Sequence, residues 1–180
     1  MKTTLKQIRT QLPDNKSFNK LLHHLDKQLP DDTLVDIIEV LNSTGLDDTL
    51  WCLNAVNGYE SEIRLYAVWC ARQVQHLMTD KRSLDALDVA ERYANGIASS
   101  SDMLEARDSA SAVVSEATDP TARRAASAAE SAVWWVVGEA AWSAAKNARS
   151  AISLDTDYPE KSRKLAMKSQ ETRLRELLAK

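Results

Sequence analysis

The side chains most often used for metal or acid–base chemistry are scarce in this sequence, which holds three His and two Cys. His23 and His24 are neighbours, so on a helix they point about 100° apart. His76 lies six residues after Cys70 and therefore off the face of that cysteine. A zinc site needs three or four convergent ligands, and these spacings do not supply them. We expect no metal site and no cofactor.

The two cysteines have the pattern of small core residues. Cys52 and Cys70 each follow a tryptophan in an apolar, helix-forming segment. Unpaired buried thiols are typical of a reducing compartment, so we expect no disulfide and a cytoplasmic protein. The chain opens with no charged-then-apolar leader, and no apolar stretch approaches the roughly 20 residues that a membrane-spanning helix needs. We expect no membrane partner.

Motifs that would specify a reaction are missing from the sequence. We find no glycine-rich phosphate loop and no serine between the glycines of a nucleophile elbow. A catalytic site could still be assembled by folding, from Glu60, Glu62 and His76 with Arg64 behind them. Charged helix faces are more often simply solvated, so we expect no catalytic residues and no enzyme.

Acidic residues are concentrated in one part of the chain, because residues 28–63 hold eight acidic residues and no basic ones. An acidic helical face complements a basic groove on another protein, and the attraction speeds association in a salt-sensitive way. The alternative is that these acids cap helix starts and solvate faces. The partner-binding face that we predict consists of Asp31, Asp32, Asp36, Asp47, Asp48, Glu60 and Glu62.

Basic residues are concentrated at the two ends. The first 27 residues hold six basic and two acidic side chains, and residues 146–180 hold nine basic and five acidic ones. These ends could bind nucleic acid, but the sequence pI near 5.7 lacks the basic excess of most nucleic-acid-binding domains. Nucleic-acid binding is therefore the weaker alternative.

Composition predicts the fold class. Only four Gly and four Pro occur in 180 residues, and residues 104–151 contain sixteen Ala. We predict an all-α, single-domain bundle or array of about eight or nine helices joined by short turns. Its parts are acidic N-terminal helices (1–58), a helical core (59–152) and a basic C-terminal helix (153–180).

Apolar spacing and capping residues place the individual helices. The first runs from Lys2 to Leu12 and stops at Pro13, the fourth runs from Leu46 to Val56, and a central fifth helix runs from Glu60 to Met78. The N-caps that we predict are Asn15 or Ser17, Asp31 or Asp32, Ser83, Ser101 and Asp119.

One long alanine-rich helix is predicted from Pro120 to about Ile152 in the C-terminal third, in which Gly138 either interrupts the helix or permits close contact with a neighbour. Adjacent helical residues diverge by about 100°, so Trp134 and Trp135 together imply a helix buried on more than half of its circumference. Trp142 continues one of these stripes. Core packing is the favoured interpretation of the tryptophans, and an aromatic binding pocket is the alternative.

Residues 65–152, about half of the chain, resemble a helical immunity-protein family of bacterial polymorphic-toxin loci and related accessory proteins of tailed phages. The run from Ile63 to Met78 is similar to the phage-type members. This chain has Glu139 where family members often carry histidine. The segments that carry the resemblance are Trp69-Cys70-Ala71-Arg72-Gln73-Val74, Arg82-Ser83-Leu84-Asp85-Ala86-Leu87, Arg92-Tyr93-Ala94-Asn95-Gly96 and Gly138-Glu139-Ala140-Ala141-Trp142.

The resemblance implies a non-catalytic, phage-encoded protein that occludes a bacterial toxin or defence effector, such as a nuclease or a CRISPR-type complex. Its partner would be that bacterial protein, met in the host cytoplasm. The alternatives are a homo-oligomeric structural or accessory protein that packs through alanine seams and exposed tryptophans, and a nucleic-acid-binding protein that uses the basic ends.

Overall fold

A computed structural model describes residues 1–12 and 14–179, and Pro13, the predicted stop of the first helix, lies outside that part. The described residues form ten α-helices, two single-turn 3-10 helices and one two-stranded sheet, so the all-α class is confirmed. The α-helices are α1 (Leu5–Gln11), α2 (Asn15–His24), α3 (Ile37–Thr44), α4 (Leu46–Cys52), α5 (Glu60–Arg72), α6 (Lys81–Ala94), α7 (Ser100–Glu116), α8 (Pro120–Ala132), α9 (Val137–Leu154) and α10 (Pro159–Leu178).

The small sheet corrects the predicted starts of two helices. Strand β1 (Lys2–Thr4) pairs antiparallel with β2 (Leu34–Asp36), in a register that sets Thr3 opposite Val35. The Thr3 hydroxyl also donates to the Ala55 carbonyl over 2.7 Å. Backbone pairing with a distant segment thus outcompetes helix formation at these β-branched residues. Consequently α1 begins at Leu5, and α3 is capped by Asp36 rather than by Asp31 or Asp32.

Three further helices begin upstream of the predicted caps. Asp14 caps α2, Asp80 caps α6, and Ser99 caps α7 in a capping box with Asp102. In each case the carboxylate or hydroxyl nearest the first turn satisfies an otherwise unpaired amide, so the downstream serines lie inside the helices. The cap that was predicted correctly is Asp119, which precedes Pro120 at the first position of α8. The superseded caps are Asn15, Ser17, Ser83 and Ser101.

Two predicted helices end early in 3-10 turns. α4 gives way to a 3-10 turn at Leu53–Ala55, and a second 3-10 turn at Gln75–Leu77 follows α5. The prediction that the fifth helix is central agrees with the structure, because α5 packs against α6, α8, α9 and α10.

The single long alanine-rich helix was predicted wrongly. Residues 133–136 break it into α8 and α9, which pack on each other as a hairpin. Their contact is built from small side chains, since Ala125 and Ala129 of α8 and Ala140 and Ala144 of α9 are completely buried. Because the chain turns back at residues 133–136, the alanine face of α8 is buried against the alanine face of α9. One straight helix would need a separate neighbouring helix to bury each of these faces.

One hydrophobic cluster joins both ends of the chain. It includes Leu5 of α1 and Phe18 of α2 together with Leu174 and Leu178 of α10. The N-terminal helices therefore pack on the same core as the central helices and do not form a separate arm.

Gly138 permits a close approach between α9 and the 3-10 turn that follows α4. A β-carbon placed on Gly138 would lie 2.7 Å from the Asn54 amide nitrogen and would overlap the Asn54 side-chain oxygen. Backbone cannot move aside as the end of a flexible side chain can, so the position requires glycine.

We expect Gly138→Ala to lower the free energy of unfolding by about 1 to 3 kcal/mol, since it overpacks this contact. Urea denaturation followed by circular dichroism measures the change. Ser143→Ala, at a half-buried position of the same helix, is the control and should shift stability by less than about 0.5 kcal/mol. An unchanged midpoint for Gly138→Ala would show that the Asn54 contact is loose.

Candidate functional site

Three consecutive large apolar side chains are exposed where α8 turns into α9. Trp134, Trp135 and Val136 are 47%, 44% and 47% exposed, and we call these residues the aromatic turn. Adjacent exposed tryptophans are costly to leave in water, because each can bury about 200 Å² of largely apolar surface. An exposed apolar patch of this kind marks an interaction surface more often than a solvated face.

A buried arginine holds the backbone of the aromatic turn. Nη1 of Arg64, on α5, donates to the carbonyls of Ala132 and Trp134, each over 2.8 Å, and Nη2 donates to the Trp135 carbonyl over 3.4 Å. Ala132 is the last residue of α8, so the guanidinium also lies at the negative end of that helix dipole. The turn is thereby held in one conformation.

The charge of Arg64 is compensated by dipoles. Arg64 is 3% exposed, and within residues 1–12 and 14–179 no carboxylate forms an ion pair with it. Its guanidinium carbon lies 5.4 Å from the centre of the Tyr93 ring, a cation–π distance. Burial lowers the pKa of the Arg64 guanidinium from its ordinary value. Three carbonyls and an aromatic face replace the water that the charge has lost.

Tyr93, on α6, also orients one of the tryptophans. Its ring meets that of Trp135 edge to face, with the centroids 6.5 Å apart. Trp135 therefore rests on a side chain that Arg64 itself contacts, so backbone and side chain of the turn are fixed by the same pair of residues.

The aromatic turn forms one wall of an open groove of about 450 Å³. Three carboxylates and one guanidinium line the groove, and Arg107 already pairs with Asp108 over 3.0 Å. The rim thus has a net negative charge around an aromatic centre. The remaining lining residues are Ser111, Glu130, Trp134, Trp135, Val136 and Glu139.

Core packing was the wrong interpretation for Trp134 and Trp135, which the helix break turns outward. It holds for Trp142, which is partly buried and meets Trp51 edge to face with centroids 5.3 Å apart. The sequence contains one signal for the break between α8 and α9. Residues 133–137 are five consecutive bulky side chains, all Val or Trp, between two alanine-rich segments.

The acidic residues predicted to bind a partner lie on several elements, and those nearest the small sheet have local contacts. Asp31 pairs with Lys27 over 2.9 Å, and Asp32 pairs with Lys6 over 2.7 Å. The hydrogen bonds from Lys27 and Thr33 lower the pKa of Asp31 to about 2. Asp36 accepts from the Ile38 amide over 3.3 Å and lies 3.9 Å from the N-terminal amine.

The other predicted acids belong to α4 and α5. Asp47 accepts a hydrogen bond from Arg149, and Asp48 is half-buried beside it on the first turn of α4. Glu60 accepts from the Gly58 amide over 3.0 Å, which lowers the pKa of its carboxyl group. Glu62 lines a small cavity of about 80 Å³. Much of the acidic segment thus caps helices or pairs within the chain, and its role in partner binding stays a prediction.

The arrangement of Glu60, Glu62, His76 and Arg64 is not brought together. Glu60 begins α5, a helix of 13 residues and so about 20 Å long, and His76 lies in the 3-10 turn beyond its other end. Arg64 points to the aromatic turn instead. The length of α5 therefore keeps Glu60 apart from His76.

A second buried arginine, Arg149, was not predicted from the sequence. It belongs to a hydrogen-bond network that joins four helices. Arg149 of α9 donates to the side-chain oxygen of Gln170 over 2.9 Å and to Asp47 of α4. Gln170, on α10, donates to the Ala145 carbonyl over 3.0 Å, and its own carbonyl accepts from the Tyr66 hydroxyl of α5. The network is structural, because Arg149, Gln170 and Tyr66 are buried and every member has a partner.

The described residues contain no group of three or more His, Cys, Asp or Glu placed to hold a metal ion. Among the same residues, no helix is long and apolar enough to cross a membrane.

No family model, curated protein or solved structure matches this chain at a significant level. The resemblance to the immunity-protein family therefore stays a prediction.

Both thiols should be inert in the folded protein. Cys52 and Cys70 are unpaired and completely buried, and burial raises the pKa of each thiol to about 12. Since only the thiolate attacks a disulfide reagent, we expect no reaction with Ellman's reagent under native conditions and rapid reaction of both thiols in denaturant. Prompt labelling of the native protein would mean that α4 or α5 opens readily.

Removing the guanidinium of Arg64 should destabilise the fold. We expect Arg64→Met to lower the free energy of unfolding by about 2 to 4 kcal/mol, because three carbonyls lose their donor. Arg64→Lys should recover part of the loss, since one ammonium cannot reach all three acceptors with the geometry of a guanidinium.

Arg123 provides a matched control for urea denaturation. It also donates to a carbonyl at the end of a helix, that of Ala117, but it is exposed. Arg123→Met should therefore cost less than about 1 kcal/mol. Equal losses for the two variants would show that burial gives Arg64 no special role.

Proposed function

We propose that this protein acts without catalysis by binding another protein, and that the aromatic turn is its docking surface. The observation that carries the proposal is the exposure of Trp134, Trp135 and Val136 on a backbone fixed by Arg64. Tryptophan is enriched among the residues that dominate binding energies. A surface fixed before binding loses little conformational entropy when a partner arrives.

The resemblance to immunity proteins supports a bacterial toxin or defence effector as the target and a phage as the source. Inhibition would then be occlusion, in which a stable complex of roughly 800 Å² per partner covers the active surface of the target. The aromatic turn and the 450 Å³ groove beside it supply the centre of such an interface.

Acidic residues would contribute steering rather than most of the affinity. Carboxylates at the rim of an interface raise the association rate and its salt dependence more than they slow dissociation. This role fits Glu130 and Glu139 beside the turn, and two members of the predicted acidic face, Asp48 and Glu62, would act in the same way from α4 and α5.

The experiment is a tagged capture from bacterial lysate that has been treated with nuclease, followed by mass spectrometry and by titration of the purified target. We expect Trp134→Ala/Trp135→Ala to weaken binding of that target by roughly 100-fold or more, as truncated hot-spot residues do. Ile97→Ala, which removes an exposed apolar side chain in the turn after α6, is the control and should leave affinity nearly unchanged.

Two outcomes would redirect the assignment. If the double variant binds as tightly as the wild type while Asp48→Lys/Glu62→Lys abolishes binding and leaves the urea midpoint unchanged, the acidic face is the docking surface. A second capture omits the nuclease. If it yields only nucleic acid, and the nuclease-treated capture yields nothing, the alternative of nucleic-acid binding through the basic ends gains support.

A further inference from the structure

The first half of α10 is a second unusual surface. Residues 161–169, which we call the basic half-helix, hold four cations and no acidic residue. Seven of the nine residues are exposed, among them Leu165 at 59% and Met167 at 38%. The second half of the same helix is different, because Gln170, Leu174 and Leu178 are buried in the core.

The cations of the basic half-helix have no partners in the described part of the chain. Neither an ion pair nor a side-chain hydrogen bond joins Lys161, Arg163, Lys164 or Lys168 to a described carboxylate, although Glu171 and Glu176 further along α10 do pair with arginines. An apolar side chain surrounded by unpaired cations is the chemical complement of tryptophans surrounded by carboxylates.

The two surfaces cannot meet within one chain. The aromatic turn lies at the start of α9, whose 18 residues span about 27 Å. The basic half-helix lies toward the other end of α9, since the Ser153 hydroxyl donates to the Pro159 carbonyl and the Gln170 side chain meets Arg149 and the Ala145 carbonyl. Complementary patches held that far apart can be joined only between two molecules.

We infer that a second copy of this chain docks its basic half-helix on the aromatic turn. Leu165 then packs against Trp134 and Trp135, while Lys164 and Lys168, which lie together on one side of it on the helix surface, approach Glu130 and Glu139. Because different surfaces of the two copies meet, the contact closes as a dimer by reciprocal exchange or extends as an open chain. Either assembly exceeds the 20.0 kDa monomer.

The inference rests on the proposed function, in that it assigns a partner to the same aromatic turn. A target that needs this turn must compete with the second copy. Self-association should therefore weaken apparent target affinity as the concentration of the protein rises.

Sedimentation of the full chain over a range of concentrations, at low and high ionic strength, tests the inference. We expect concentration-dependent association that salt weakens. Lys164→Glu/Lys168→Glu and Glu130→Lys/Glu139→Lys should each weaken association by roughly tenfold or more, and an equimolar mixture of the two should restore it to within about threefold. Lys16→Glu/Lys20→Glu, a reversal of the same charge and spacing on exposed positions of α2, is the matched control and should have no effect.

Circular dichroism and the urea midpoint of each variant separate loss of association from loss of folding, and the restoring mixture makes the same distinction independently. A wild-type chain that stays monomeric at every concentration overturns the inference. So does an assembly that neither charge reversal disturbs. Binding of the half-helix to oligo(dT) by a monomeric chain would assign these lysines to phosphates and overturn it as well.

The proposed function and this inference fail separately. If the chain is monomeric but Trp134→Ala/Trp135→Ala loses its purified target, the docking function stands and the second copy is excluded. If the charge swap restores association but no target depends on the tryptophans, self-association stands and the function as an inhibitor falls.

Discussion

The burial of the Arg64 charge against three backbone carbonyls is the interaction on which the shape of the C-terminal half depends. A buried guanidinium is tolerated only where acceptors replace its water, and the end of α8 supplies the carbonyls of Ala132 and Trp134 together with a helix dipole. Those acceptors are available because the chain leaves the helix at residue 133. The break in turn produces the α8–α9 hairpin and turns the tryptophans outward.

Alanine-rich packing makes such polar anchors necessary. Helices that meet through Ala125, Ala129, Ala140 and Ala144 approach closely, but small side chains specify the register of two helices weakly. Arg64 and Arg149 each join α5 or α9 to a neighbour through directional hydrogen bonds. The α8–α9 seam has a directional contact of its own, since the Asn147 side-chain amide of α9 donates to the Ser127 carbonyl over 3.4 Å and to the Ser131 hydroxyl over 3.3 Å. A slip of one turn between the two helices would break both bonds.

The perturbed titrating groups have structural causes, including Arg82 and Asp102, which line one groove between α6 and α7. Backbone amides at helix starts lower the pKa of Asp14 and Asp102, hydrogen bonds from the Arg82 side chain and amide lower the pKa of Asp80, and burial raises the pKa of both thiols. Asp102 is the capping-box carboxylate of α7, and Arg82 pairs with Asp80 and Glu116. The feature without a structural explanation is instead the exposed aromatic turn, and exposed, rigid aromatic surface is what protein recognition uses.

The sequence by itself determined the helical class, the central position of α5, the start of α8 at Asp119 and the burial of both cysteines, because each follows from local spacing or capping. Only the tertiary structure decided that Lys2–Thr4 pairs with Leu34–Asp36 and that the alanine-rich segment breaks at residue 133. The physical reason is the same in both cases. In each case the group that competes with helix formation lies far away in sequence: Leu34–Asp36 for the first strand and Arg64 for the turn at residue 133. The spacing of residues within the segment therefore does not predict the outcome.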